Sequence, residues 1–91
     1  MRVQVKLGGD LKEAVKEREI TLRDIEEGST FMDLIEIMIR KYGDAFSDII
    51  EEEGRLNFSY LVIVNGRSLE SPAMKLKNED RVVIYPAIGG G

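Results

Sequence analysis

The sequence predicts an α+β domain, with one main helix packed on one face of a mixed sheet of four to five strands. Two observations carry this. The chain is 91 residues long, the size of a single domain with one modest core. Only one segment, about residues 30–42, carries a long helical apolar stripe, whereas the runs around it have the alternation or β-branched character of strands. A helix stripe needs a covering layer, and here a sheet is the layer on offer.

The first strand is Met1 to Leu7, where Val3, Val5 and Leu7 alternate with Arg2, Gln4 and Lys6. Gly8-Gly9-Asp10 signals a turn, and Leu11 and Val15 at i,i+4 spacing suggest a short helical turn. Arg18 to Leu22 alternates again through Ile20 and Leu22 and is expected to pair antiparallel with the first strand. Asp24 to Gly28 reads as an acidic connector.

Thr30 with Asp33 approximates a capping box at the start of the main helix. Phe31, Leu34, Ile35, Met38 and Tyr42 form its stripe, and Gly43 suits the position after its end. Ile37 and Ile39 fall off that stripe, so they are either covered by neighbouring loops or part of a partner surface. Asp44 to Ile50 is expected to form a short second helix, and Glu51-Glu52-Glu53-Gly54 a solvated acidic turn. Tyr60 to Val64 is a continuous apolar run, consistent with a strand buried on both faces. Asn65-Gly66 is a preferred hairpin turn, with Arg67 to Glu70 as the return strand. Ser71-Pro72 breaks that strand, and Lys75 to Asp80 reads as polar connection.

The last strand is Arg81 to Tyr85, with pairing expected to stop at Pro86, which has no N–H to donate. Residues 1–86 form the expected domain and 87–91 a flexible glycine-rich tail ending in Gly89-Gly90-Gly91. Fully extended, the residues after Pro86 reach roughly 17 Å, at about 3.3–3.6 Å each. That is enough to enter another protein's active site, and a chain without Cβ atoms fits a narrow channel.

Composition narrows the chemistry. Hydrophobic content of 43% and charged content of 33% fit a folded globular chain. The sequence has no cysteine and no histidine, which removes thiol nucleophiles, thiolate metal sites and the commonest general base. Asp44, Asp48 and Glu51 to Glu53 offer carboxylates with no evident proton partner, so an autonomous enzyme is disfavoured. A net charge of −4 argues against nucleic acid as a partner. No signal-peptide pattern or long apolar run suggests a membrane partner, and the expected location is cytoplasmic.

A long hairpin, a crossing helix and further strands with the last one central make the β-grasp, or ubiquitin-like, arrangement. Along the last strand, Val82 and Ile84 are expected to face the helix, and Val83 and Tyr85 the outer side. An apolar outer face with no helix over it marks a partner site, unless its residues are singly exposed and ordinary.

Several stretches match a known family across the whole chain. They are Leu11-Lys12-Glu13-Ala14-Val15, Glu27-Gly28-Ser29-Thr30-Phe31-Met32-Asp33-Leu34, Lys41-Tyr42-Gly43 and Val62-Ile63-Val64-Asn65-Gly66, then the run from Asn78 through Tyr85-Pro86-Ala87-Ile88 to the glycines. With these the chain resembles the MoaD/ThiS-like sulfur-carrier branch of the ubiquitin-like proteins. The resemblance implies that a ubiquitin-activating-type enzyme, using ATP and Mg, adenylates the terminal glycine. A sulfur donor then makes a thiocarboxylate, or an amine makes a conjugate. It implies that this chain holds no cofactor and delivers sulfur to a synthase such as a MoaE-like large subunit of molybdopterin synthase, with an archaeal-type protein modifier or a sulfur donor for tRNA or thiazole as the alternatives. Gly91 would be the reacting terminus with Gly90 beside it, and Tyr85, Val83, Pro86, Ile88 and Gly89 would bind the partner. The family usually ends in two glycines and this chain in three: either Gly90-Gly91 is the working pair with Gly89 at the variable position before it, which is the preferred reading, or Gly91 is trimmed to expose Gly90. The reading from a different class is a β-grasp docking module with an incidental tail.

Overall fold

The computed structural model describes residues 1–87. Its elements run β1 (Val3–Leu7), α1 (Gly9–Val15), β2 (Glu19–Leu22), α2 (Phe31–Tyr42), a 3₁₀ turn (Asp44–Phe46), β3 (Tyr60–Val64), β4 (Arg67–Ser68) and β5 (Arg81–Pro86). The sheet has five strands in the order β2-β1-β5-β3-β4. β5 lies parallel to β1 and antiparallel to β3. The last strand is therefore central, and the expected β-grasp arrangement is present.

The α2 stripe covers the inner sheet face. Phe31, Leu34, Ile35 and Met38 are buried with Val3, Val5, Leu7, Val62, Val82 and Ile84. Burying side chains of this size is worth about 1.5–3 kcal/mol each relative to exposure, so this layer is the main stabilising contact. Ile37 and Ile39 are half-buried against the same core. At the helix start, the Asp33 amide donates to Thr30 Oγ1 at 3.2 Å, and the Thr30 amide donates to Asp33 Oδ2 at 2.9 Å. The next free amides are met from another segment: Phe31 N–H donates to the Met74 carbonyl and Met32 N–H to that of Pro72, both at 3.0 Å. The connection before β5 thus serves as an external cap for α2.

Four expectations are corrected. The helix expected over 44–50 is a single 3₁₀ turn, Asp44–Phe46. Its bonds run three residues back, Ser47 N–H to Asp44 and Ile49 N–H to Phe46, and Ile50 must then extend to bridge Leu56. β3 is buried on one face only: Val62 and Val64 are buried, whereas Leu61 and Ile63 are not. The return strand β4 has two residues, because Leu69 turns into the core. Pairing does not stop at Tyr85, since Pro86 lies opposite Tyr60 and Ala87 N–H donates to the Ser59 carbonyl at 2.7 Å. The Ala87–Ser59 bond makes Tyr85–Leu61 a bonded pair and Tyr60–Pro86 a non-bonded one. The absent proline N–H therefore points towards β1, whose register with β5 ends at Leu7–Ile84.

The connectors also hold core residues that their polar composition hides. Ile25, Leu69 and Leu76 are buried. Asp80 is a buried carboxylate, accepting from Asn65 Nδ2 at 2.8 Å and from the Lys77 amide at 2.7 Å. Asn65 Oδ1 in turn accepts from the Arg81 amide at 2.9 Å, tying the β3–β4 turn to the start of β5. Both turn residues have positive φ, 52° at Asn65 and 84° at Gly66, as the Asn-Gly signal requires.

Candidate functional site

The site is built on β5 and its two neighbours. Val82 and Ile84 are buried under α2, which leaves Val83 and Tyr85 half-buried on the outer face. Register places Ile63 opposite Val83 and Leu61 opposite Tyr85. The result is an apolar strip of Leu61, Ile63, Val83 and Tyr85 on the sheet face opposite the buried Val62, Val64, Val82 and Ile84. On the β1 side it is bordered by Lys6, which pairs with Val83, and by Gln4, which pairs with Arg81. A shallow depression of about 310 Å³ opens there, lined by Gln4, Lys6, Glu19, Arg81 and Val83. The outer face is thus apolar towards the tail end and charged towards the start of β5.

Two glycines fix how β5 leaves the sheet. Gly8 lies under the Tyr85 ring, and a Cβ there would sit 2.8 Å from Tyr85 Cδ2. Gly9 has φ +59°, and a Cβ there would sit 2.6 Å from Pro86 Cγ. Both approaches are closer than a side-chain carbon allows, so the pair acts as a seat for Tyr85 and Pro86. Sequence reading took these glycines as a turn signal only. Their closeness to β5 depends on a long-range pairing that local pattern does not encode.

The other side of this exit is held by the loop before β3. Asn57 N–H donates to the Ile49 carbonyl at 2.9 Å, and Asn57 Nδ2 donates to the Asp48 carbonyl at 2.8 Å. Asn57 Oδ1 accepts from the Ser59 amide at 2.9 Å. The Ser59 carbonyl then receives the Ala87 amide, the last described bond of the chain. Tyr60, opposite Pro86, has its phenol pKa pushed above 10.0 by burial first and then by the charges of Asp10 and Asp48.

Of the expected site residues, Tyr85 and Pro86 sit at this exit, and Val83 lies further back on the same strand, opposite Ile63. Ile88, Gly89, Gly90 and Gly91 lie outside the described residues. Leu61 and Ile63 join the strip although sequence reading placed them in a two-sided core strand, a mistake that a continuous apolar run invites. Among the described residues, no group of three or more carboxylates could hold a metal ion, and no helix is long and apolar enough to cross a membrane.

No protein-family model matches the chain, and no curated protein matches it either. Solved structures do. The small archaeal modifier protein 1 of Methanosarcina acetivorans shares 30% identity at a TM-score of 0.74, over 99% of this chain and 96% of its own. A Pyrococcus furiosus protein described as a candidate molybdopterin converting factor, subunit 1, shares 25% identity at a TM-score of 0.77, over 97% and 99%. A chain in the Amycolatopsis orientalis BexX/CysO complex has the same fold, at 22% identity and a TM-score of 0.77 over 98% and 99%. The likeness covers at least 96% of each chain in every case, and the chain belongs to the MoaD/ThiS-like sulfur-carrier family of ubiquitin-like proteins.

Proposed function

We propose that this protein is a sulfur carrier whose C-terminal Gly91 is adenylated by a ubiquitin-activating-type enzyme and converted to a thiocarboxylate. In this reading it acts as the small subunit of a molybdopterin synthase, passing sulfur to a precursor held by a MoaE-like large subunit in the cytoplasm. The observation that carries the proposal is the exit of β5. The central strand, held on both sides, ends at Pro86 on glycines cleared for it, Ala87 is bonded to Ser59, and the remaining sequence is Ile88-Gly89-Gly90-Gly91.

The chemistry asks little of this chain. A carboxylate is a poor electrophile, so a Gly91 oxygen first attacks the α-phosphorus of ATP on the partner enzyme, and pyrophosphate leaves. Sulfur at the hydrosulfide level then attacks the acyl carbon, and AMP leaves with the bonding electrons. The partner supplies Mg, nucleotide pocket and nucleophile. This chain supplies a rigid root and a tail slim enough to enter. The outer strip of Leu61, Ile63, Val83 and Tyr85 supplies the docking surface.

The likeness at 30% identity to a small archaeal modifier protein favours a second reading, in which an amine rather than sulfur attacks the acyl-adenylate. The intact mass of the protein purified from its own cell separates the two. Exchange of one oxygen for sulfur at the terminus supports the carrier. Higher-mass conjugates through Gly91 support the modifier. An unaltered terminus under sulfur-replete growth, with no conjugates, contradicts both.

A further inference from the structure

The Asn65-Gly66 turn carries a chemistry that the carrier reading does not use. An asparagine carboxamide followed by glycine is open to attack by the next backbone nitrogen, because glycine has no side chain to hinder it. Here the two reacting groups stand in opposite conditions. Gly66 faces open space, since a Cβ there would meet nothing within 4 Å. The Asn65 carboxamide is tied down. Its Nδ2 donates to Asp80 Oδ1 at 2.8 Å, and its Oδ1 accepts from the Arg81 amide at 2.9 Å. These partners fix which end of the carboxamide carries the nitrogen, because a carboxylate only accepts and an amide N–H only donates. The Asn65 N–H also donates to the Arg81 carbonyl, at 2.8 Å. Asp80 is itself held: it is 6% exposed, and its other oxygen accepts from the Lys77 amide. Asn57 and Asn78 precede Phe58 and Glu79, whose side chains crowd the same attack.

We propose that Asn65 is a deamidation site gated by its own latch to Asp80 and Arg81. While the latch is closed, the carboxamide is held against the start of β5. When the turn opens, the Gly66 nitrogen loses its proton and attacks Asn65 Cγ. The Cγ–Nδ2 bond breaks and ammonia leaves, giving a five-membered cyclic imide. Water then opens the ring at either carbonyl. One product carries a side-chain carboxylate on the normal backbone; in the other the backbone runs through the side-chain carbons. The net change is amide plus water to carboxylate plus ammonium, with no oxidant or reductant.

Neither product can close the latch again. The donor to Asp80 is gone, and a carboxylate replaces it beside a buried carboxylate of like charge. Arg67, Lys75 and Lys77 line the same depression, yet no salt bridge to Asp80 forms among the described residues. The isomer also lengthens the backbone of a two-residue turn whose register sets Val64 opposite Arg67. Conversion therefore follows opening and then keeps the turn open, which makes the turn an irreversible ageing switch. Its effect falls at the Val64–Val82 end of the β3–β5 pairing, the end away from Pro86. The inference is independent of the reading of Gly91.

The test incubates the full-length protein in mildly alkaline buffer, folded and unfolded in urea, and follows amide-to-carboxylate conversion by mass and peptide mapping. In urea, Asn65 is expected to convert ahead of Asn57 and Asn78. In the folded protein its conversion is expected to be slower by about tenfold or more, because the reaction waits on local opening. The product is tested with Asn65→Asp, expected to raise the unfolded fraction about tenfold, read as a lower urea midpoint with unchanged slope. Adding Asp80→Asn to that variant exchanges donor and acceptor and is expected to restore most of the loss. Should Asn65→Asp alone fail to fold, recovery of folding in the double variant is the same test, read by circular dichroism. Equal rates at Asn65 in the folded and unfolded chain would overturn the gate. A single variant as stable as the parent, or a double variant no more stable than the single, would overturn the clash with Asp80.

Discussion

At the scale of single residues, the site depends on what is missing as much as on what is present. Gly9 holds φ +59° against the Pro86 ring. Alanine there meets both a left-handed backbone cost and a steric one, so Gly9→Ala is expected to destabilise by about 2–3 kcal/mol in urea unfolding. A change within about 0.5 kcal/mol, the range of ordinary surface substitutions, would refute the seat. Tyr60 gives a second check. Its phenol is pushed above 10.0 by burial and by Asp10 and Asp48, and a raised folded-state value favours the protonated form in the folded protein. The stabilisation is therefore present below pH 10 and is lost as pH rises through the folded value. In an ultraviolet titration, Tyr60→Phe should remove the phenol that ionises above 10.0, and the mutant should lose less stability than the parent in that alkaline range. The Arg2–Glu79 pair, with Nε and Oε1 2.8 Å apart, lowers the Glu79 pKa chiefly through that hydrogen bond. Any support from it is present above the ordinary glutamate range and fades as pH falls through the lowered value, and both groups are exposed enough to keep it small.

At the scale of elements, legibility followed the length of the signal. α2 was readable because its stripe, its cap and its terminal glycine agree over three turns. Thr30→Ala should cost about 1 kcal/mol, read as a shift in urea midpoint with unchanged slope, because it removes one side of the capping box. The parity of β5 was readable for a similar reason: Val82 and Ile84 could not both be buried unless Val83 and Tyr85 faced out. β3 misled because Leu61 and Ile63 are as apolar as Val62 and Val64, and only the sheet's lack of a second covering helix exposes them. The segment 44–50 misled because Phe46 and Ile49 needed burial, and a 3₁₀ turn achieves it as well as a helix does. The seat at Gly8 and Gly9, the bond of the buried Asp80 to Asn65 and the bond from Ala87 to Ser59 all depend on partners far away in sequence. No local window contains them.

At the scale of the whole molecule, the fold places a central strand so that its last residues leave at one edge, beside an apolar outer strip and a pinned loop. Tyr85→Glu puts a charge on that half-buried outer strip. It should leave the fold in place and weaken partner docking by tenfold or more, about 1.4 kcal/mol, measured as KM in pyrophosphate exchange. The central claim is that the body presents the terminus and the terminus carries the chemistry. The most direct measurement is intact-mass analysis of the parent protein and of the variant lacking Gly90-Gly91, each purified from the native cell under sulfur-replete growth, with thermal unfolding recorded in parallel. The account predicts a terminal oxygen-to-sulfur exchange in the parent, none in the variant and the same melting temperature for both. A parent with an unaltered terminus, or a variant that still acquires sulfur, would contradict it.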